Sequence, residues 1–192
     1  PISNTIGMSL RWFRDEFCRD LDGGYAALDR LAERVPPGAQ GVTFLPYLAG
    51  CVDPEHLPEA SGGFYGLRLS STRAACVRAI LEAAAFQLRD FLRMLSALGC
   101  TAQTVTSLGG GAGSPLWMQI KANVCRRPFR TLSTVQATSL GAALLAAGAL
   151  GWKLHDAEER SVYQPQAETT DAYEKAYAAY RRVYEALYLQ KG

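Results

Sequence analysis

The feature that most constrains this chain is a glycine run set between a strand and a helix. Thr104 to Leu108 is a short β-prone run, and it ends at once in Gly109-Gly110-Gly111-Ala112-Gly113. Ser114 and Pro115 follow, a capping residue and a residue suited to the first helical turn, so a helix runs from there to about Cys125. A strand that enters a side-chain-free turn and leaves as a helix brings bare N–H groups and the helix N-terminus, worth roughly half a positive charge, to one point. Such a point suits a phosphate, or the sugar and ring of a nucleotide. Glycine content alone gives equal standing to a tight turn that packs a helix on a sheet. The run is not G-x-x-x-x-G-K-[ST], since no Lys follows, and G-x-G-x-x-G fails at its third glycine, where Ser114 stands.

The rest of the chain supplies the layers around that turn. Apolar residues at Leu10, Phe13, Phe17, Leu21, Leu28, Leu31 and Val35 have helical spacing, and Gly23-Gly24 divides them into two short helices. Gly41 to Leu45 and Gly63 to Leu67 read as short strands, with a loop rich in Pro and acidic residues over Pro46 to Ala60. Ser71 or Thr72 caps a long helix whose apolar face runs from Cys76 through Ile80, Ala84, Leu88, Phe91 and Leu95 to a stop at Gly99. Phe129 to Leu132 reads as a strand, Thr138 to Leu150 as a small-residue helix able to pack closely on a neighbour, and Asp156 to Thr170 as polar loop. A final helix carries Tyr173, Tyr177, Tyr180, Tyr184 and Tyr188. Strands alternating with helices indicate an α/β layer fold, with crossovers that favour parallel pairing.

Composition narrows the function classes. The chain has 192 residues, 48% hydrophobic, enough for one packed domain or one and part of a second. Twenty Lys and Arg against eighteen Asp and Glu leave a charge of +2, too little for a surface built around nucleic acid. The longest apolar run, Ala142 to Trp152, is broken by Gly148 and Gly151 and falls short of the ~20 residues of a membrane span. Five scattered cysteines with only His56 and His155 read as reduced cytosolic thiols, neither a disulfide frame nor a zinc site. No leader opens the chain, which fits a cytoplasmic protein, and a first residue of Pro1 suggests a piece of something longer.

Several collinear blocks together carry a resemblance. Leu108 to Gln119, with its strand, glycine turn and helix, resembles the adenosine-binding segment of the FGGY carbohydrate kinases. Phe44-Leu-Pro-Tyr-Leu-Ala-Gly50 is similar to that family's L-P-Y-L-S-G strand and loop, and Leu10-Arg-Trp-Phe-Arg14 to its L-R-W-L-R. Gly66 to Arg73 with Ala79 to Phe86 resembles the G-L…H-T-R…R-A-x-L-E-G-x-A-F helix, and Ser139-Leu-Gly-Ala-Ala143 the A-L-G-A-A segment. The resemblance implies an α/β domain of the actin-like, ribonuclease-H-related ATPase fold, a mixed sheet flanked by helices and incomplete on its N-terminal side. Residues 1–192 would be the C-terminal, nucleotide-binding domain of a two-domain sugar kinase.

The resemblance also assigns roles. Gly109, Gly110, Gly111 and Ser114 would line the adenosine and α-phosphate side, with Gly110 and Ser114 closest. ATP and Mg2+ are implied, with a sugar, a xylulose-type pentulose first, as the acceptor. The base Asp and the phosphate loop belong to family segments upstream of Pro1, so no residue here is assigned a catalytic role and this chain alone should not catalyse. The partners expected are the sugar, ATP and an N-terminal kinase domain of the same protein, with a homodimer left open and neither nucleic acid nor membrane involved. Departures from the pattern, each removing a charge near the expected cleft, are Gly50-Cys51-Val52 for G-E-R, Gly113 for an arginine, and Gln119 to Asn123 for Q-x-x-A-D. They give some standing to a competing reading, an actin-like nucleotide-binding regulator or scaffold that transfers no phosphate.

Other residues invite roles and have plainer readings. His56, between Glu55 and Leu57, is a candidate base or ligand but reads as solvated surface. Glu82 reads as a structural hydrogen-bond acceptor, the tyrosine stripe as core, Trp117 as packing, and Arg126-Arg127 and Arg181-Arg182 as solvated pairs.

Overall fold

The computed structural model describes residues 6–52, 56–134 and 136–189. Two short helices, α1 (Ile6–Phe17) and α2 (Gly24–Glu33), open it and turn at Gly23, whose φ of 102° is left-handed backbone. Strands β1 (Thr43–Leu45) and β2 (Gly63–Tyr65) pair antiparallel, Phe44 facing Phe64. Between them the loop makes isolated bridges, among them Cys51 to Leu57.

Helix α3 (Arg73–Ala97) is the spine, and α1, α2, β1, α4 and α6 all pack on it. Thr72, not Ser71, is its cap, accepting from the Ala75 N–H at 3.2 Å. It ends as expected at Gly99, left-handed at φ 83°, with the Cys100 N–H closing on the Leu95 carbonyl.

The second sheet holds β3 (Val105–Ser107), β4 (Phe129–Leu132) and β5 (Glu159–Tyr163) in that order, β3 parallel to β4 and β5 antiparallel to it. Helix α4 (Pro115–Cys125) makes the parallel crossover between β3 and β4. Helices α5 (Ala137–Ala149) and α6 (Thr170–Tyr188) complete the chain. The sheet is therefore mixed and helix-flanked, as the fold reading requires.

One expectation is corrected. Residues 159–163, read as polar loop, form β5, because hydrogen bonds to β4 settle an edge strand whose own side chains are mostly exposed. Helix α5 forms as expected; within the described residues Ala147 is its buried residue and Leu145 is 80% exposed.

The main core joins Leu10, Leu28, Phe44, Ile80, Leu81 and Trp117 to the tyrosines of α6, and a smaller one gathers Leu92, Met118, Ala122 and Phe129 under the second sheet. Tyr173, Tyr177, Tyr180 and Tyr184 are buried, so the stripe is core. Buried hydroxyls find partners: Tyr47 and Tyr180 share a bond at 2.9 Å, Tyr173 accepts from Arg78 at 2.6 Å, and Tyr177 donates to Asp90. Glu82 is the structural acceptor expected, receiving Arg78 Nε at 2.8 Å and the Gly38 N–H at 3.0 Å. Burial pushes its carboxyl up and Arg78 pulls it back.

Candidate functional site

The glycine run folds as the sequence requires and opens a cleft. Gly109 has φ 81° and ψ −173°, a conformation open in practice to glycine alone, and it turns the chain out of β3. Gly110–Gly113 then makes one 3-10 turn, and Ser114 caps α4 by accepting from the Trp117 N–H at 3.1 Å, with Pro115 in the first turn. Trp117 lies beneath the turn, its indole Nε1 donating to the Leu81 carbonyl at 3.0 Å. A Cβ on Gly111 would stand 2.9 Å from Trp117 Cζ3, so packing forbids a side chain there. A Cβ on Gly110 or Gly113 would meet open space.

That open space is a cleft of about 510 Å³, within the range of small-ligand sites. One wall is Gly110, Gly111, Gly113, Ser114 and Trp117; the other is Gly7 and Leu10 of α1 with Tyr25, Ala26 and Asp29 of α2. Three of the four glycine-loop residues expected at a ligand therefore line it: Gly110, Gly111 and Ser114. Gly109 does not; its part is the turn itself.

The opposite wall was invisible to motif reasoning. Asp29 stands close enough to the Ser114 hydroxyl for that group to favour its charged form, while Ser114 caps α4. Burial pushes the Asp29 carboxyl above its usual range, nearby Glu33 adds to this, and the Ser114 hydroxyl opposes it. The Arg14 guanidinium lies 4.5 Å over the Tyr25 ring. The one available signal was that Tyr25 and Asp29 stand four apart, on one face of α2, directly after Gly23-Gly24.

Other singled-out residues lie elsewhere. Of the departures from the family pattern, Gly113 lines the cleft, whereas Asn123 does not: its amide ties Gln119 at 2.8 Å and Gln166 at 3.0 Å beyond the other side of α4. Cys51 is buried and bridged to Leu57. These two positions therefore lie outside this pocket. His56 is exposed, and its neighbours Asp53 and Glu55 lie outside the described residues. The five cysteines are free thiols. Arg126 is exposed, as expected, and also pairs with Glu174 at 2.9 Å, whereas Arg127 is half-buried and donates to the Ala102 carbonyl. Arg181 is also paired, with Asp90 at 3.4 Å and Glu185 at 2.9 Å.

What the arrangement offers is an acceptor carboxylate, apolar and aromatic walls, and a helix N-terminus under glycine backbone. Comparison with known proteins agrees in sequence and in fold. The xylulose kinase of Staphylococcus epidermidis is 32% identical over 191 residues, 96% of this chain and 38% of that protein. The gluconokinase of Bacillus licheniformis is 34% identical over 79% of this chain and 31% of its own length. The crystal structure of xylulose kinase from Rhodospirillum rubrum superposes with a TM-score of 0.82 at 33% identity, covering 95% of this chain and 38% of that one. This chain thus spans well under half of the relatives it matches, and its fold is the actin-like ATPase fold of those kinases. Residues 4–150 match the family described as the FGGY family of carbohydrate kinases, C-terminal domain, and the chain belongs to that family.

Proposed function

We propose that this chain is the nucleotide-holding, C-terminal domain of an ATP-dependent carbohydrate kinase, and that the acceptor is a pentulose such as xylulose. The observation that carries the reading is the cleft, in which glycine backbone, a capped helix N-terminus and the α1–α2 wall enclose a nucleotide-sized volume. In this reading Gly110, Gly111 and Ser114 contact the adenosine and α-phosphate, Gly109 shapes the loop, and Tyr25 with Leu10 flanks the nucleoside.

Phosphoryl transfer needs in-line positioning, charge neutralisation and a base for the hydroxyl. This chain's contribution is positioning. Asp29, the carboxylate in the cleft, stands beside Ser114 and is given no proton to move. The base and the sugar contacts are assigned to an N-terminal domain of the same protein. Among the described residues no group of three or more His, Cys, Asp or Glu side chains is arranged to hold a metal ion. Mg2+ therefore enters this reading on the phosphates of the substrate Mg-ATP, and no step is routed through a metal held by this chain. No described helix is long and apolar enough to cross a membrane. The cytoplasm, where ATP and free sugars meet, is the proposed location.

The acceptor class follows the names of the relatives, which include xylulose kinases and a gluconokinase. The test is coupled ADP release by the full-length protein with Mg-ATP across ketoses, sugar acids and polyols. One strongly preferred pentulose supports the reading. Silence across the panel with ATP still bound would overturn the transfer step, in favour of a nucleotide-binding regulator.

A further inference from the structure

A second pocket, of about 500 Å³, lies at the far end of α4 from the cleft. Arg89, Arg93 and Ser96 of α3 form one side, and Cys125, Arg126 and Arg127, at the end of α4, the other. The eleven residues of α4 separate this pocket from Ser114 by about 16 Å at 1.5 Å per residue.

The charges around it do not balance. Glu174 is the carboxylate that answers the arginines, accepting Arg89 at 2.7 Å and 3.0 Å and Arg126 at 2.9 Å. Arg93 has the neutral Tyr177 hydroxyl at 3.1 Å, and Arg127 a backbone carbonyl. Asp90, the next carboxylate, is held by the Tyr177 hydroxyl and by Arg181 at 3.4 Å. Arg93 also acts on Asp90, directly and through the Tyr177 hydroxyl, so four guanidiniums share Glu174 and part of Asp90. The carbonyl end of α4 offsets part of this excess, but a helix end carries only about half a charge.

Backbone strain is a second, independent sign. Arg126 caps α4 in the left-handed region, at φ 53° and ψ 41°, where glycine sits freely and a side chain is strained. Strain held at a bulky, charged residue points to a use for that residue. Guanidinium forks match phosphate oxygens with paired N–H donors, which ammonium groups cannot do.

We propose that this pocket is an anion site for a small phosphorylated molecule carrying two or more negative charges, separate from the cleft and independent of what the cleft binds. The probe is pyrophosphate, titrated by calorimetry into the full-length protein at constant, physiological ionic strength. ADP is kept saturating so that the cleft is filled, and inorganic phosphate and a sugar monophosphate serve as comparison ligands. The expected result is saturable binding that weakens at least about ten-fold in Arg126→Gly and in Arg93→Gln. Arg126→Gly is the sharper variant, because it also relieves the strained cap: its melting temperature should hold or rise while anion affinity falls. Arg182→Gln, at an exposed arginine outside the pocket and the cleft, should leave pyrophosphate binding unchanged. Absence of saturable binding at that ionic strength, or binding that both arginine variants retain in full, would overturn the proposal.

Discussion

Gly110 and Gly111 are adjacent and are glycine for different reasons. Gly111 is closed by packing, since its Cβ would lie 2.9 Å from the Trp117 ring; Gly110 is open on that count. Gly111→Ala should therefore cost about 1–3 kcal/mol in denaturant unfolding, the usual cost of forcing extra volume against a fixed ring. Gly110→Ala should leave stability within about 0.5 kcal/mol. Lys121 gives a second residue-scale prediction. Its Nζ lies 4.5 Å over the Trp117 ring, and burial pushes its pKa down to about 8. The unfolded chain keeps that proton to about pH 10.4, so the folded state binds fewer protons between the two values and stability rises with pH there. Lys121→Met should remove that slope from urea unfolding measured between pH 7 and 10. It should also add about 1–2 kcal/mol at pH 7, after allowance for partial solvent screening. The cap at Ser114 and the first-turn Pro115 were legible because capping is local chemistry. Asp29 was not, because its partner Ser114 is 85 residues away and only the packing of α2 beside α4 joins them.

At the scale of elements, α3 and α6 are bolted by buried polar groups as well as by tyrosine rings. Arg78 links Glu82, one turn along α3, to the Tyr173 hydroxyl of α6, and its own side chain is 6% exposed. Removing one partner of such a pair strands the other without water. Arg78→Met should accordingly cost about 3–5 kcal/mol, and Glu82→Gln less, because the amide carbonyl can still accept from Gly38 and Arg78. Chemical denaturation of both variants checks the order; equal costs would mean that the negative charge of Glu82, and not only its acceptor oxygens, is needed beside Arg78. The long helix and the tyrosine stripe could be read from the sequence because their periodicity is strong and unbroken. Strand β5 could not, since Glu159 to Tyr163 owes its conformation to the ladder with β4 rather than to its own residues.

For the molecule as a whole, the cleft is a product of topology. Residues 7–29 and 110–117 meet only because α3 carries the first pair of helices and α4 on one spine. The sequence named the glycine wall, and its family resemblance named the fold; the facing wall awaited the fold itself. The central claim is that the bare backbone at Gly110 is kept for a nucleotide and not for packing. The measurement that tests it most directly is ATP affinity of the full-length protein and its Gly110→Val variant, with melting temperature recorded on the same samples. The account predicts an unchanged melting temperature and at least about a ten-fold loss of ATP affinity. Equal affinity in a folded Gly110→Val protein would contradict it, and would return the glycine run to the role of a structural turn.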